Sequence, residues 1–113
     1  MIFDTSIWVG LASGQISSQT VLQTAGNEPV YISVISLGEL TFGAESCSDP
    51  AERMLRIRTL RSLQQRPVLD VTSLTASAFG ILAAFLKQSG RSSRTRVNDL
   101  WIAAQRLKMT MLF

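Results

Sequence analysis

Val30-Tyr31-Ile32-Ser33-Val34-Ile35-Ser36-Leu37-Gly38-Glu39 changes its character partway along. Residues 30–35 (VYISVI) are β-branched and aromatic and follow Pro29, which predicts a buried strand. Ser36 and Glu39 then stand at the Ser-x-x-Glu spacing of a capping box, which predicts a helix opening there. A strand that feeds directly into a helix is the repeating unit of an α/β fold.

The same grammar extends in both directions. Met1 to Phe3 is a short apolar run ending in Asp4-Thr5-Ser6, a polar trio able to cap a helix, so a strand running into a helix is expected. Residues 7–12 predict a short helix broken at Ser13-Gly14, and 15–25 a second one stopped near Gly26-Asn27. Downstream, Asp49-Pro50 offers an N-cap and a first-turn proline for a helix that must end before Pro67. Residues 67–71 read as another short strand. From Ser73 to Gln88 the residues Leu74, Ala78, Ile81, Leu82, Phe85 and Leu86 form one helical stripe. Gly90 ends it, a polar loop follows, and Asn98-Asp99 opens a helix to about Lys108. Met109 to Phe113 (MTMLF) reads as the beginning of a last buried strand. The expected fold class is α/β: one domain over residues 1–113, with a mostly parallel sheet covered by helices on both faces and the last strand incomplete.

Composition narrows the chemistry. Apolar residues make up 46% and charged residues 17% of the 113, the balance of a chain with a filled interior. The N-terminus has neither the basic region nor the cleavage site of a signal peptide, and no run approaches the ~18 apolar residues of a membrane span. Cys47 is the single cysteine, so no intramolecular disulfide exists, and a cytoplasmic location with no membrane contact is expected. Histidine is absent, which excludes Ser-His-Asp and Cys-His catalysis and nearly all zinc sites. Catalysis therefore falls to carboxylates, hydroxyls, Lys or Arg. The net charge of +3 suits a polyanionic partner. Arg53, Arg56, Arg58, Arg61 and Arg66 read as the solvated face of a surface helix. Arg91, Arg94 and Arg96, in the loop leading to Asp99, are the better candidates for contacts to a polyanionic partner. Trp101 reads as core, Trp8 as either core or a partner anchor, and Cys47 as inert.

Three of the eight acids stand at junctions: Asp4 closes the first strand, Glu39 lies in the turn after VYISVI, and Asp99 starts a helix. In open α/β sheets the ligand crevice lies beyond the carboxyl ends of the strands, where such residues can converge. Clustered carboxylates suit a hard divalent cation, which would relieve their mutual repulsion. Each acid also has a plainer reading: Asp4 as a cap, Glu39 as the partner of Ser36 in a capping box, and Asp99 as a favourable charge at a helix N-terminus.

Three ordered motifs resemble those of PIN-domain ribonucleases of the VapC toxin type. Met1-Ile2-Phe3-Asp4-Thr5-Ser6 is similar to the opening motif, Ser33 to Gly43 (SVISLGELTFG) to the second, and Val97 to Ala104 (VNDLWIAA) to the third. Together they span essentially the whole chain. The resemblance implies Asp4, Glu39 and Asp99 as the catalytic, metal-binding acids and Ser6 as a supporting polar residue. It further implies Mg²⁺ or Mn²⁺ as cofactor, RNA as substrate, a cognate VapB-like antitoxin as partner, and a homodimer. It places no acid at Asp70, and it expects one more acid beyond Phe113, so that a C-terminally truncated member with reduced activity is implied. An alternative is a catalytically impaired remnant that still binds an antitoxin or itself. A phosphoacceptor receiver domain fits less well, since only Asp4 follows the first strand and both lysines, Lys87 and Lys108, lie in predicted helices.

Overall fold

The computed structural model describes residues 1–90 and 97–112, with side chains through Met109. The elements run α1 (Thr5–Ala12), α2 (Ser18–Ala25), β1 (Ile32–Ser33), α3 (Val34–Glu45), α4 (Pro50–Leu63), β2 (Val68–Leu69), α5 (Ser73–Gln88) and α6 (Val97–Leu112). This is an α/β fold in which a small parallel sheet is flanked by helices. The chain divides into two compact units, Met1–Val68 and Leu69–Phe113.

In the first unit, Ile2 makes a parallel bridge to Tyr31, and the Tyr31 N–H donates to the Met1 carbonyl at 2.9 Å. The Ile32 N–H donates to the Pro67 carbonyl at 3.0 Å and begins the pairing of β1 with β2. The strand predicted over 30–35 is thus only two residues long. The reason lies in Ser33, whose backbone is extended and whose hydroxyl accepts the Ile35 N–H at 3.0 Å. That N-cap starts α3 at Val34 and overrides the β preference of Val34 and Ile35. Ser36 therefore lies inside α3, and the capping box expected between Ser36 and Glu39 does not form.

Trp8 of α1, Ile32 of β1 and Leu63 of α4 form the core of this unit, with Phe3, Leu11, Val30, Leu37 and Leu40 packed around them. Trp8 is core, only 1% exposed, with Phe3 tilted against its ring and the Arg66 guanidinium 5.3 Å from the ring centroid. Its buried Nε1–H has no hydrogen-bond partner among the described residues. Gly26, at φ +59°, ends α2 in a conformation that favours glycine. The expected start of α4 is present: Asp49 accepts the Ala51 N–H and Pro50 takes the first turn.

In the second unit, α5 occupies the predicted span and opens on a capping box between Thr72 and Thr75. It packs on α6, where Phe79 stacks on Trp101 with centroids 3.9 Å apart. The strand expected at Met109 to Phe113 is not formed by residues 109–112, which continue α6. Met and Leu are good helix formers and no glycine or proline follows Lys108 to stop the helix. No strand follows α6 among the described residues.

Trp8→Ala should cost ~3–5 kcal/mol through the cavity it leaves. Trp8→Phe should cost no more than about 1.5 kcal/mol, because removing an unsatisfied buried donor offsets part of the lost packing. Urea unfolding of the two variants checks this; equal losses would mean that the N–H has an acceptor.

Candidate functional site

Asp4 is the N-cap residue of α1 by backbone position, yet its side chain makes no capping hydrogen bond. Asp4 is exposed. Thr5, the next residue, reaches α3: its Oγ1 donates to Glu39 Oε1 at 2.8 Å and lies 2.8 Å from Ser36 Oγ. A threonine hydroxyl has one hydrogen, and a carboxylate can only accept. With the Thr5 hydrogen given to Glu39, the Ser36 hydroxyl must donate to Thr5. A directed chain, Ser36 to Thr5 to Glu39, therefore ties the first turn of α1 to α3.

These contacts bring Glu39 beside the residue that follows Asp4. Both plainer readings weaken for this pair, since Asp4 does not cap through its side chain and Glu39 forms no capping box. Ser6, the polar residue expected to support the first acid, is exposed, while its neighbour Thr5 makes the contact to Glu39. The motif reading missed Thr5 and Ser36. Three hydroxyls and two acids in two short polar runs were the available signal, but which hydroxyl faces Glu39 depends on how α1 lies on α3.

Asp99 is exposed in the first turn of α6, in the second unit. Arg91, Arg94 and Arg96 lie outside the described residues. Among the described residues, no group of three acidic or cysteine side chains is close enough to enclose a metal ion. The donor chemistry nevertheless suits a hard cation: Asp4 and Glu39 offer carboxylate oxygens, and Glu39 Oε1 accepts from the Thr5 hydroxyl.

A groove of about 500 Å³ runs over α1, α3 and α4, lined by Thr5, Val9, Glu39, Leu40, Leu55 and Arg56 among others. Val9 and Leu55 are exposed in its wall. Arg56 bridges the two helices α3 and α4, donating to the Gly43 carbonyl at 3.0 Å and to Glu52 at 2.8 Å. The hydrogen bond and charge of Glu52 raise the guanidinium pKa above its ordinary value. Arg53 pairs with Glu45 at 2.7 Å. These two arginines of α4 are thus engaged at the surface, as a solvated basic face requires.

On α6, two buried polar side chains grip the chain after β2. Gln105 Nε2 donates to the Leu69 carbonyl at 2.9 Å and the Asp70 carbonyl at 3.4 Å, and Lys108 Nζ to the Asp70 carbonyl at 3.4 Å. They hold within the second unit the helix that carries Asp99.

The chain matches the family described as PIN domain over residues 1–109. It is 32% identical to ribonuclease VapC5 of Mycobacterium tuberculosis over 103 residues, covering 91% of this chain and 72% of that protein. It is 30% identical to ribonuclease VapC4 of the same organism over 101 residues, 89% of this chain and 73% of the relative. The crystal structure of VapBC-5 from M. tuberculosis superposes with a TM-score of 0.73 at 29% identity, covering 96% of this chain and 77% of the other. VapBC2 from Rickettsia felis, bound to a DNA fragment from its promoter, has the same fold: TM-score 0.78 at 24% identity, covering 97% and 83%.

Gln105→Leu should cost about 1–3 kcal/mol, since two backbone carbonyls lose a buried donor. Gln105→Glu should cost more at neutral pH, because it turns a carboxylate toward those carbonyls. Denaturant midpoints decide between this and a Gln105 that contributes nothing, for which both variants would unfold like the parent.

Proposed function

The chain belongs to the PIN domain family, and on that footing we propose that it is a metal-dependent endoribonuclease of the VapC toxin type. The observation that carries the reading is the Thr5–Glu39 hydrogen bond, which ties the residue after Asp4 to α3, while neither acid's side chain caps its own helix. Asp4, Glu39 and Asp99 are the proposed metal-binding and catalytic acids, with Ser6 in support. When bound, Mg²⁺ or Mn²⁺ supplies charge neutralisation at a phosphodiester and a lowered pKa for an attacking water.

The chain's own residues do the rest. Asp4 and Glu39 would hold the cation, and Asp99 is the third proposed acid. Thr5 fixes the Glu39 carboxylate. Arg91, Arg94 and Arg96 are the proposed contacts to RNA phosphates, where guanidinium groups suit the charge and shape of the anion.

A VapB-like antitoxin is the proposed partner, and a homodimer the proposed assembly. One observation also favours the second reading, an antitoxin-binding module with impaired catalysis: the exposed apolar wall of the groove, Val9 and Leu55, offers a binding surface that needs no chemistry. An Asp4→Asn chain that cannot cleave RNA but still captures the antitoxin fits both readings; parent activity separates them.

The parent chain should cleave RNA with Mg²⁺ or Mn²⁺ and stop when EDTA is added. Asp4→Asn, Glu39→Gln and Asp99→Asn should each lower the rate by about 10²-fold or more. Asp70→Asn should leave metal binding intact. A cleavage assay and metal titration on purified protein measure both; cleavage that persists in EDTA, or in the three acid variants, contradicts the proposal.

A further inference from the structure

We propose that Ser36 is a positioning residue, which acts through Thr5 to hold the Glu39 carboxylate in a ligand-ready orientation before a cation arrives. The inference rests on Glu39 being a ligand, as proposed above, and goes beyond it to what organises that ligand.

The geometry is specific. Ser36 and Glu39 are three residues apart on α3, the spacing at which helix side chains share a face. Thr5 enters between them from α1, with 2.8 Å to each oxygen. Ser36 is fully buried, so its hydroxyl cannot exchange this partner for bulk water. Thr5 is β-branched and stands at the start of a helix, where its χ1 freedom is restricted. Glutamate, by contrast, has several rotatable bonds, and Glu39 is only half-buried. The stiff partner therefore orients the flexible one.

Charge sets the direction. An ionised Glu39 can only accept, so the Thr5 hydrogen points to Oε1 and the Ser36 hydrogen to Thr5. A donor bonded into Thr5 polarises its hydroxyl and strengthens the onward bond. Oε1 is thereby fixed, while the remaining lone pairs of the carboxylate stay available to a ligand. Fixing of this kind, by groups that do not touch the ion, is how proteins commonly tune the affinity of a metal ligand.

The experiment is Mn²⁺ titration calorimetry on the full chain, at a temperature where circular dichroism shows each variant folded. The variants are Ser36→Ala, Thr5→Val, Thr5→Ser and, as a control on the ligand reading, Glu39→Gln. Ser36→Ala and Thr5→Val should each weaken Mn²⁺ binding by roughly 10–100-fold. Thr5→Ser, which keeps the hydroxyl, should bind within about threefold of the parent, a rescue that a packing role for the lost methyl would not produce. RNA cleavage should show the loss in kcat with KM for RNA unchanged. Should Thr5→Val not fold, Ser36→Ala carries the same expectation with a smaller change in shape. Parent-like Mn²⁺ affinity in Ser36→Ala and Thr5→Val alongside its loss in Glu39→Gln overturns the positioning role and leaves the ligand reading intact. Parent-like affinity in Glu39→Gln as well overturns both.

Discussion

The 2.8 Å hydrogen bond from Thr5 Oγ1 to Glu39 Oε1 joins the first turn of α1 to α3, and the candidate site exists only where that junction holds. Helix α1 has eight residues, shorter than the ~12–15 at which isolated helices become even marginal in water. Its position must come from tertiary contacts. Trp8 supplies the apolar half, buried against Ile32 and Leu63, and Thr5 the polar half. One helix is thus anchored on two faces: packing sets its depth, and directed hydrogen bonds set its rotation about its own axis. That rotation decides where Asp4 projects, because Asp4 directly precedes Thr5.

Charge is distributed to match. Arg53 and Arg56 of α4 are taken up by Glu45, Glu52 and the Gly43 carbonyl. They brace α3 against α4 at the surface, where such pairs contribute modestly and mainly fix geometry. Glu39 receives a neutral hydroxyl in place of a guanidinium. A hydroxyl orients a carboxylate without cancelling its charge, which suits a residue meant to attract a cation more than one meant to cement a helix pair.

Much of this was legible in the sequence where local rules act alone. Ser73 to Gln88 declares its helix through an unbroken apolar stripe, and Asp49-Pro50 declares a helix start by capping chemistry, so both match the structure. Legibility failed where two local signals competed. Ser33 and Ser36 are both plausible caps; Ser33 takes the role, and Ser36 is left inside α3 for a tertiary contact. VYISVI has strand composition throughout, yet the earlier cap converts its end to helix. MTMLF has apolar strand character but no breaker before it, and α6 runs on to Leu112. The motif resemblance identified Asp4, Glu39 and Asp99 as candidates; that Thr5, and not Ser6, touches Glu39 depends on helix rotation, which no local pattern encodes. The burial of Gln105 and Lys108 was not legible for a similar reason, since a polar residue on a helix reads as exposed until a strand end is found beneath it.

The central claim is that Asp4 and Glu39 hold a divalent cation together. Anomalous diffraction from crystals grown in Mn²⁺ tests it most directly. The account predicts a peak at coordination distance, ~2.1–2.2 Å, from a carboxylate oxygen of both Asp4 and Glu39, with Thr5 still bonded to Oε1. A saturated crystal whose Mn²⁺ sits elsewhere, or touches only one of the two acids, would contradict it.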